Sequence, residues 1–157
     1  MAKKVSESQV TMTELVLPQH TNSLGSVFGG VVMSWIDICA AIAAHRHCRS
    51  PVVTASIDGL EFLKPVFNGW ILSLKASVNY VGKTSMEVGV LVESENPLTG
   101  ECHRTASAYL TFVALGDDYC PKTIPAIEPE TEDEKRRFHE AQIRRKQRLK
   151  LRELTKK

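Results

Sequence analysis

Residues 27–44 read VFGGVVMSWIDICAAIAA, and this stretch decides the fold because it predicts one long apolar helix. Asp37 is its only charged residue, set among Val, Ile, Trp, Met and Ala. The stretch is apolar around most of its circumference, so we expect other elements to cover it on more than one side. A carboxylate in such surroundings must be paired, kept neutral or used, and such groups are over-represented at functional sites.

The remaining apolar residues predict strands that surround this helix. Strands are expected at 9–17, 52–62, 70–80, 86–93 and 102–115. Strict alternation from 70 to 80 gives one buried face, made by Trp70, Leu72, Leu74, Ala76, Val78 and Tyr80. Short turns, such as the one expected at 96–100, imply antiparallel pairing. We therefore expect an α+β fold, with one antiparallel sheet curled around the central helix.

A basic tail is expected to follow the folded domain, with domain bounds of 1–127 and 128–157. The first part has 9 Lys+Arg against 11 Asp+Glu, and the second has 11 against 7. Thr131 and Glu134 form a capping-box pattern, which predicts a helix in the tail. This helix is interpreted as docked on its own oligomer by its few apolar residues, as a basic arm for nucleic acid or an anionic membrane, or as a basic rim for an anionic ligand. Its acidic residues weaken the second interpretation.

Composition and motifs exclude several classes of protein. The four cysteines match no zinc spacing, and the first ten residues contain no apolar signal segment, so we expect reduced thiols in a cytoplasmic protein. Residues 27–44 are marginally short for a bilayer span and contain Asp37, which favours a buried helix and no membrane partner. No P-loop, G-x-G-x-x-G or G-x-S-x-G motif occurs in the sequence.

The loop before the helix carries residues that fit catalysis together with Asp37. Gly29 and Gly30 at a helix start leave backbone N–H groups free to bind an anion or polarise a carbonyl, although close helix packing also explains the pair. Asn22 could orient a water or a carbonyl, or only shape the turn. His45 and His47 are two residues apart at the helix end, so they face different directions and no metal site is expected.

Two further segments carry cations. Gly82, Lys83, Thr84 and Ser85 form a polar interruption between two strong strands, which is either a plain hairpin turn or a phosphate contact. Lys64 stands before a proline at another strand end.

Four stretches together resemble the acyl-CoA thioesterases of the hotdog fold. They are HTNSLGSVFGGVVMSWID (20–37), VVTASIDGLEFLKPV (52–66), VGKTSMEV (81–88) and ASAYLTFVAL (106–115). Within the first stretch, the pattern N-x-x-G-x-x-x-G-G-x-x-x-x-x-x-D is the most specific part. The resemblance covers residues 9–127 and is nearest to short bacterial acyl-CoA hydrolases and the repeated domains of cytosolic long-chain acyl-CoA hydrolases.

The resemblance implies an enzyme that hydrolyses fatty acyl-CoA to a fatty acid and CoA, with no metal or redox cofactor. It implies homo-oligomers, at least dimers with sheets joined edge to edge and commonly trimers of dimers, with active sites between subunits. Asp37 then acts as base or nucleophile, Asn22 comes from the partner subunit, and the amide near Gly30 polarises the thioester carbonyl. The turn of Gly82, Lys83, Thr84 and Ser85 then faces the nucleotide part of CoA. We expect the CoA phosphates to meet cations such as Lys83, Lys64 or arginines of the tail.

Three other functions fit the same fold less well. A non-catalytic acyl-CoA sensor needs neither Asp37 nor Asn22. A hotdog dehydratase or isomerase needs a histidine in the helix region, whereas His45 and His47 fall at its end. Nucleic-acid binding depends on the tail alone, so no nucleic-acid partner is expected.

Overall fold

The fold of the computed structural model, which describes residues 1–156, is a five-stranded sheet with a helix on each face and a separate two-stranded sheet. The elements are β1 Lys3–Lys4, β2 Val10–Leu15, α1 Gly29–Cys48, β3 Val52–Phe62, β4 Ile71–Val81, β5 Ser85–Glu95, β6 Cys102–Ala114, β7 Ile127–Glu128 and α2 Glu132–Leu154. Five antiparallel strands form the sheet in the order β2-β4-β5-β6-β3. The sequence prediction of a single antiparallel sheet with a central helix is therefore confirmed.

Helix α1 packs on the inner face of the sheet through small and apolar side chains. Ala40, Ala43 and Ala44 are fully buried, and they belong to one core with strand residues such as Ala106 and Ala108, which are also fully buried. Small side chains on both surfaces let the helix approach the sheet closely. Among the described residues, no helix is long and apolar enough to cross a membrane.

The expected covering of α1 leaves one face open in the single chain. Met33, Ile38 and Ile42 are 39, 51 and 36% exposed, and together with Asp37 they form what we call the open face of α1. The sheet covers only one side of the helix because it ends at β3, an 11-residue edge strand that pairs with β6 alone in the described sheet. The open face and β3 therefore lie side by side at the uncovered end of the sheet.

The predicted inward position of Tyr80 is wrong. The register of β4 against β5 shifts between Val78 and Tyr80, so Tyr80 stands opposite Glu87. A β-bulge of this kind moves the following side chains to the other face of the sheet. Tyr80 consequently leaves the core and packs edge-on against Phe138 of α2, with 5.2 Å between the ring centroids.

Helix α2 lies across the outer face of the sheet and is held mainly by ion pairs. Arg144 Nη2 is 2.7 Å from Glu87 Oε1, and its guanidinium lies 3.6 Å from the centroid of the Tyr109 ring. Arg148 reaches Asp58 of β3 at 2.8 Å. The helix thus docks on its own sheet, and the capping box of Thr131 and Glu134 predicted at its start is confirmed. Most apolar residues expected to dock it are exposed: Ile143, Leu149, Leu151 and Leu154.

The two ends of the domain are tied together near the end of α1. Strands β1 and β7 pair in parallel. His47 is fully buried between them, with Nε2 at 2.7 Å from the carbonyl oxygen of Pro125, and its own carbonyl accepts a 2.8 Å hydrogen bond from Lys3 Nζ. Its Nδ1 atom has no partner among the described residues. Burial is the main cause that lowers the pKa of His47 below its ordinary value.

We expect protonation of His47 to destabilise the fold. Because its pKa is lower in the folded than in the unfolded chain, the free energy of unfolding should be unaffected by this group above about pH 6.5 and fall below it, by at most about 1.4 kcal/mol per pH unit. Urea unfolding from pH 7.5 to 5 measures this loss, and His47→Gln should reduce it. The exposed His139 gives the control His139→Gln, and an identical pH dependence in all three proteins would contradict the expectation.

Candidate functional site

Asp37 is held by a hydroxyl from the neighbouring edge strand. Thr54 of β3 donates a 2.7 Å hydrogen bond from Oγ1 to Asp37 Oδ1. Among residues 1–156, no other donor bonds to this carboxylate, and Asp37 is half-buried on the open face of α1. One oxygen is therefore fixed in position while the other remains available to a water or a substrate.

The start of α1 leaves backbone donors uncapped. Phe28 is the N-cap residue and gives no side-chain cap, and in the described residues the N–H groups of Gly29 and Gly30 donate to no acceptor. A Cβ on Gly30 would lie 2.6 Å from a ring carbon of Phe28, so any other residue here requires the exposed Phe28 ring to move. Free N–H groups at the positive end of a 20-residue helix are suited to polarising a carbonyl.

Asn22 shapes the loop that leads into α1. Its Oδ1 accepts hydrogen bonds from the backbone of Leu24 at 2.9 Å and from Ser26 N and Oγ at 3.3 and 3.2 Å. The side chain is exposed, and within the described chain its amide nitrogen donates to no partner. The loop is therefore fixed by the oxygen of Asn22, which leaves the amide N–H groups directed away from these contacts.

The single chain does not bring Asn22, Gly30 and Asp37 to one point. Gly30 and Asp37 are seven residues apart, which places them on the same side of α1 but about 10 Å apart along its axis. The N–H of Gly30 also points away from Asp37, toward the helix start. Asn22 makes no contact with Asp37. A carbonyl polarised at the start of one α1 is thus beyond direct reach of Asp37 in the same chain.

The turn of Gly82, Lys83, Thr84 and Ser85 lies at the same end of the sheet as Thr54. Pairing across the strands gives one row that runs from Thr54 through Phe112 and Met86 to Val81, directly beside the turn. Lys64 lies at the opposite end, where its Nζ is 3.1 Å from Nδ1 of His103. Within one chain, Lys83 of the turn and Lys64 are therefore separated by about the length of a strand.

Other reactive groups in the chain are not placed for catalysis. Cys39 is fully buried, and burial raises the pKa of its thiol to about 11, so it is not a ready nucleophile. His45 is exposed and contacts the carbonyl of Ser50, whereas His47 points into the interior. Within residues 1–156 no group of three His, Cys, Asp or Glu side chains could hold a metal ion.

Sequence reasoning missed Thr54. A threonine in a strand is common, and nothing local to residues 52–62 distinguishes this one. The sequence indicated only that a lone Asp in an apolar helix needs a hydrogen-bond donor. It did not indicate that the donor is Thr54, 17 residues later in the edge strand.

The comparisons with known proteins agree in family and fold. Residues 24–101 match the thioesterase superfamily. The chain is similar to the uncharacterized acyl-CoA thioester hydrolase YkhA of Bacillus subtilis (strain 168), with 46% identity over 128 residues, which is 82% of this chain and 74% of that protein. A crystal structure of an apo-hexameric acyl-CoA thioesterase superposes with a TM-score of 0.92 at 45% identity, covering 95% of this chain and 96% of the other.

A hydrolase from Staphylococcus aureus gives a comparison with bound ligands. The structure of this acyl-CoA hydrolase, in complex with butyryl coenzyme A, coenzyme A and coenzyme A disulfide, has a TM-score of 0.91 at 41% identity and covers 97% of this chain and 93% of its own. Three further structures of that hydrolase carry alanine in place of an asparagine, an aspartate and a threonine. These residues have the same spacing along that chain as Asn22, Asp37 and Thr54 have here.

Proposed function

We propose that this chain, which belongs to the thioesterase superfamily, hydrolyses acyl-CoA to a free fatty acid and CoA. The observation that carries the proposal is the Thr54–Asp37 hydrogen bond of 2.7 Å, which positions a half-buried carboxylate beside an open apolar helix face. The names of the relatives and of the solved structures support the same reaction.

In this reaction Asp37 acts on a water or on the thioester itself. As a base, it takes a proton from the water whose oxygen attacks the thioester carbonyl carbon; the C–S bond then breaks and the proton passes to the CoA sulfur. As a nucleophile, its free oxygen attacks the same carbon, the C–S bond breaks and CoA leaves as the thiolate, which gives an acyl anhydride with Asp37. Water then opens the anhydride, which releases the fatty acid, restores the carboxylate and supplies the proton for the CoA sulfur. A metal or redox cofactor is not required in either route, because a thioester is already an activated acyl group.

The carbonyl is polarised by Gly30 N–H and the Asn22 amide of a second copy of the chain. The axial separation of about 10 Å between Gly30 and Asp37 supports this arrangement, since one carbonyl does not reach both within one chain. The uncovered edge strand β3 and the open face of α1 give the surface on which a second copy packs. We propose a homo-oligomer, with a trimer of dimers as the assembly; hexamers are known for similar thioesterases.

The acyl chain lies along the open face of α1, whose apolar residues Met33, Ile38 and Ile42 adjoin Asp37. The CoA moiety meets the turn of Gly82, Lys83, Thr84 and Ser85. Lys64 lies beyond the other end of β3, so it is too far from this site to meet CoA within the same chain. A Lys64 contact with CoA would therefore come from the second copy of the chain.

A thiol-release assay across acyl-CoAs of increasing chain length tests the proposed function. We expect saturable release of CoA from at least one chain-length class and no change on adding a metal chelator. Exposed Cys102 and Cys120 react with thiol reagents themselves, so an enzyme-only reference is required. Saturable acyl-CoA binding with no release from any substrate would instead establish a sensor and contradict hydrolysis.

A further inference from the structure

Arg145 of α2 lies beside the turn between β4 and β5. Its Nη2 atom is 3.8 Å from the position that a Cβ on Gly82 would occupy, and its side chain lines a small cavity together with Ser85. The guanidinium therefore lies in van der Waals range of the turn at Gly82. The helix that follows the sheet thus adds a cation to this end of the sheet.

Arg145 differs from the arginines on either side of it in the helix. Arg144 is bonded to Glu87 and Arg148 to Asp58, and these pairs hold α2 on the sheet. Within residues 1–156, Arg145 makes no side-chain hydrogen bond or ion pair, although it is half-buried. A guanidinium that has lost part of its hydration has five N–H donors to satisfy, and an oxyanion such as phosphate, which offers two oxygens to the planar guanidinium, satisfies them best.

The turn itself adds further unpaired donors. In the described chain, Lys83 Nζ and the hydroxyls of Thr84 and Ser85 bond to no other group, and the backbone N–H groups of Lys83 and Thr84 are also free. These donors and Arg145 come from two different elements that meet at Gly82. Two cations with hydroxyls and backbone N–H groups are the donor set that binds phosphate in proteins.

The position of these donors relative to Asp37 fits one extended ligand. Thr54, which holds Asp37, and Met86, which follows the turn, face the same residue of β6 from opposite sides. Two strand spacings separate them, which is about 10 Å. A ligand with its reacting group at Asp37 and a phosphate at the turn therefore lies over one end of the sheet.

We propose that Arg145 binds a phosphate group of CoA and so makes the enzyme prefer CoA thioesters to thioesters that lack the nucleotide. The proposal rests on the proposed function, because it takes acyl-CoA as the ligand. The pyrophosphate and the 3′-phosphate of CoA share the chemistry that Arg145 recognises.

Steady-state kinetics of Arg145→Ala test this role, with one acyl chain carried by CoA, by 3′-dephospho-CoA and by pantetheine. We expect kcat/KM for acyl-CoA to fall on the order of tenfold through KM, the effect of one charged hydrogen-bond pair. Acyl-pantetheine should lose less than about twofold, and Arg145→Lys should recover part of the loss. Arg152→Ala, in the exposed last turn of α2, is the matched control.

The three substrates separate the possible outcomes. Loss with acyl-CoA alone assigns Arg145 to the 3′-phosphate, and loss with both nucleotides assigns it to the pyrophosphate; each supports the proposal. An equal loss with acyl-pantetheine, or no loss with acyl-CoA, overturns it. If the wild type releases no thiol, the proposed function fails by itself. Calorimetry with CoA then still tests Arg145, since a Kd unchanged by Arg145→Ala overturns the inference.

Discussion

Replacing Asp37 with asparagine is expected to lower kcat for acyl-CoA hydrolysis on the order of 10³-fold, within the range for loss of a general base. The amide keeps the size of the side chain and still accepts the Thr54 hydrogen bond, so the fold and oligomer should persist. It can neither take a proton from water nor attack a thioester. The thiol-release assay measures the loss, and Asp117→Asn, on an exposed loop, provides the control.

Thr54→Val separates the role of the carboxylate from the role of its support. Valine removes the hydroxyl that fixes Asp37 Oδ1 but keeps the shape of the side chain, so we expect a smaller loss of kcat, about tenfold. A loss as large as that of Asp37→Asn would mean that Thr54 takes part in the reaction directly. Turnover near the wild-type rate in Asp37→Asn would remove Asp37 from the mechanism.

Isotope transfer detects a nucleophilic role of Asp37 in which water opens the anhydride at the aspartyl carbon. In a single turnover in ¹⁸O-labelled water, a base puts the label into the released fatty acid. A nucleophile whose acyl anhydride is opened by water at the aspartyl carbon leaves the label on Asp37, which mass spectrometry of the peptide detects.

Replacing Arg144 with alanine is expected to lower the free energy of unfolding by about 3 kcal/mol. Glu87 is 5% exposed, and loss of Arg144 would leave its carboxylate with one remaining donor, Asn79 Nδ2 at 3.1 Å. The stacking of Arg144 on Tyr109 is lost as well. Denaturant unfolding followed by circular dichroism measures the change.

A second substitution and an exposed control isolate the buried charge as the cause. Glu87→Gln in the Arg144→Ala background should recover part of the loss, because an amide is less costly to bury unpaired than a carboxylate. Arg136 pairs with Asp133 and Glu140 on the exposed side of α2, so Arg136→Ala should lower the free energy of unfolding much less than Arg144→Ala does. Equal losses for Arg136→Ala and Arg144→Ala would contradict this account.

Periodicity in the sequence predicted the elements but not the contacts between distant ones. The α1 helix and the strand Val52–Phe62 were predictable because each depends on the spacing of apolar residues within its own segment. The bulge before Tyr80 cannot be read from the alternating pattern of β4. Val78 N donates a hydrogen bond there to Oγ of Ser8, a residue 70 positions earlier in the chain.

The candidate site shows the same division. Asp37 stands out because it contradicts its surroundings, and the glycines stand out because a helix rarely begins with two of them. Thr54 and Arg145 do not, since a threonine in a strand and an arginine in a basic helix are ordinary residues. Thr54 becomes important because its edge strand adjoins α1, and Arg145 because α2 passes beside the turn.

The pairing of Glu87 with Arg144 also gives the chain an order of assembly during translation. The two residues are 57 positions apart, so a ribosome adding about 5–20 residues per second synthesises Arg144 about 3–11 s after Glu87. Strands β2 to β6 are complete well before α2 has emerged. From the completion of β6 until Arg144 is in place, the outer surface of the sheet carries a carboxylate without its cationic partner. A ribosome stalled before residue 144 would therefore display an incompletely stabilised domain, which is the form that chaperones and proteases recognise.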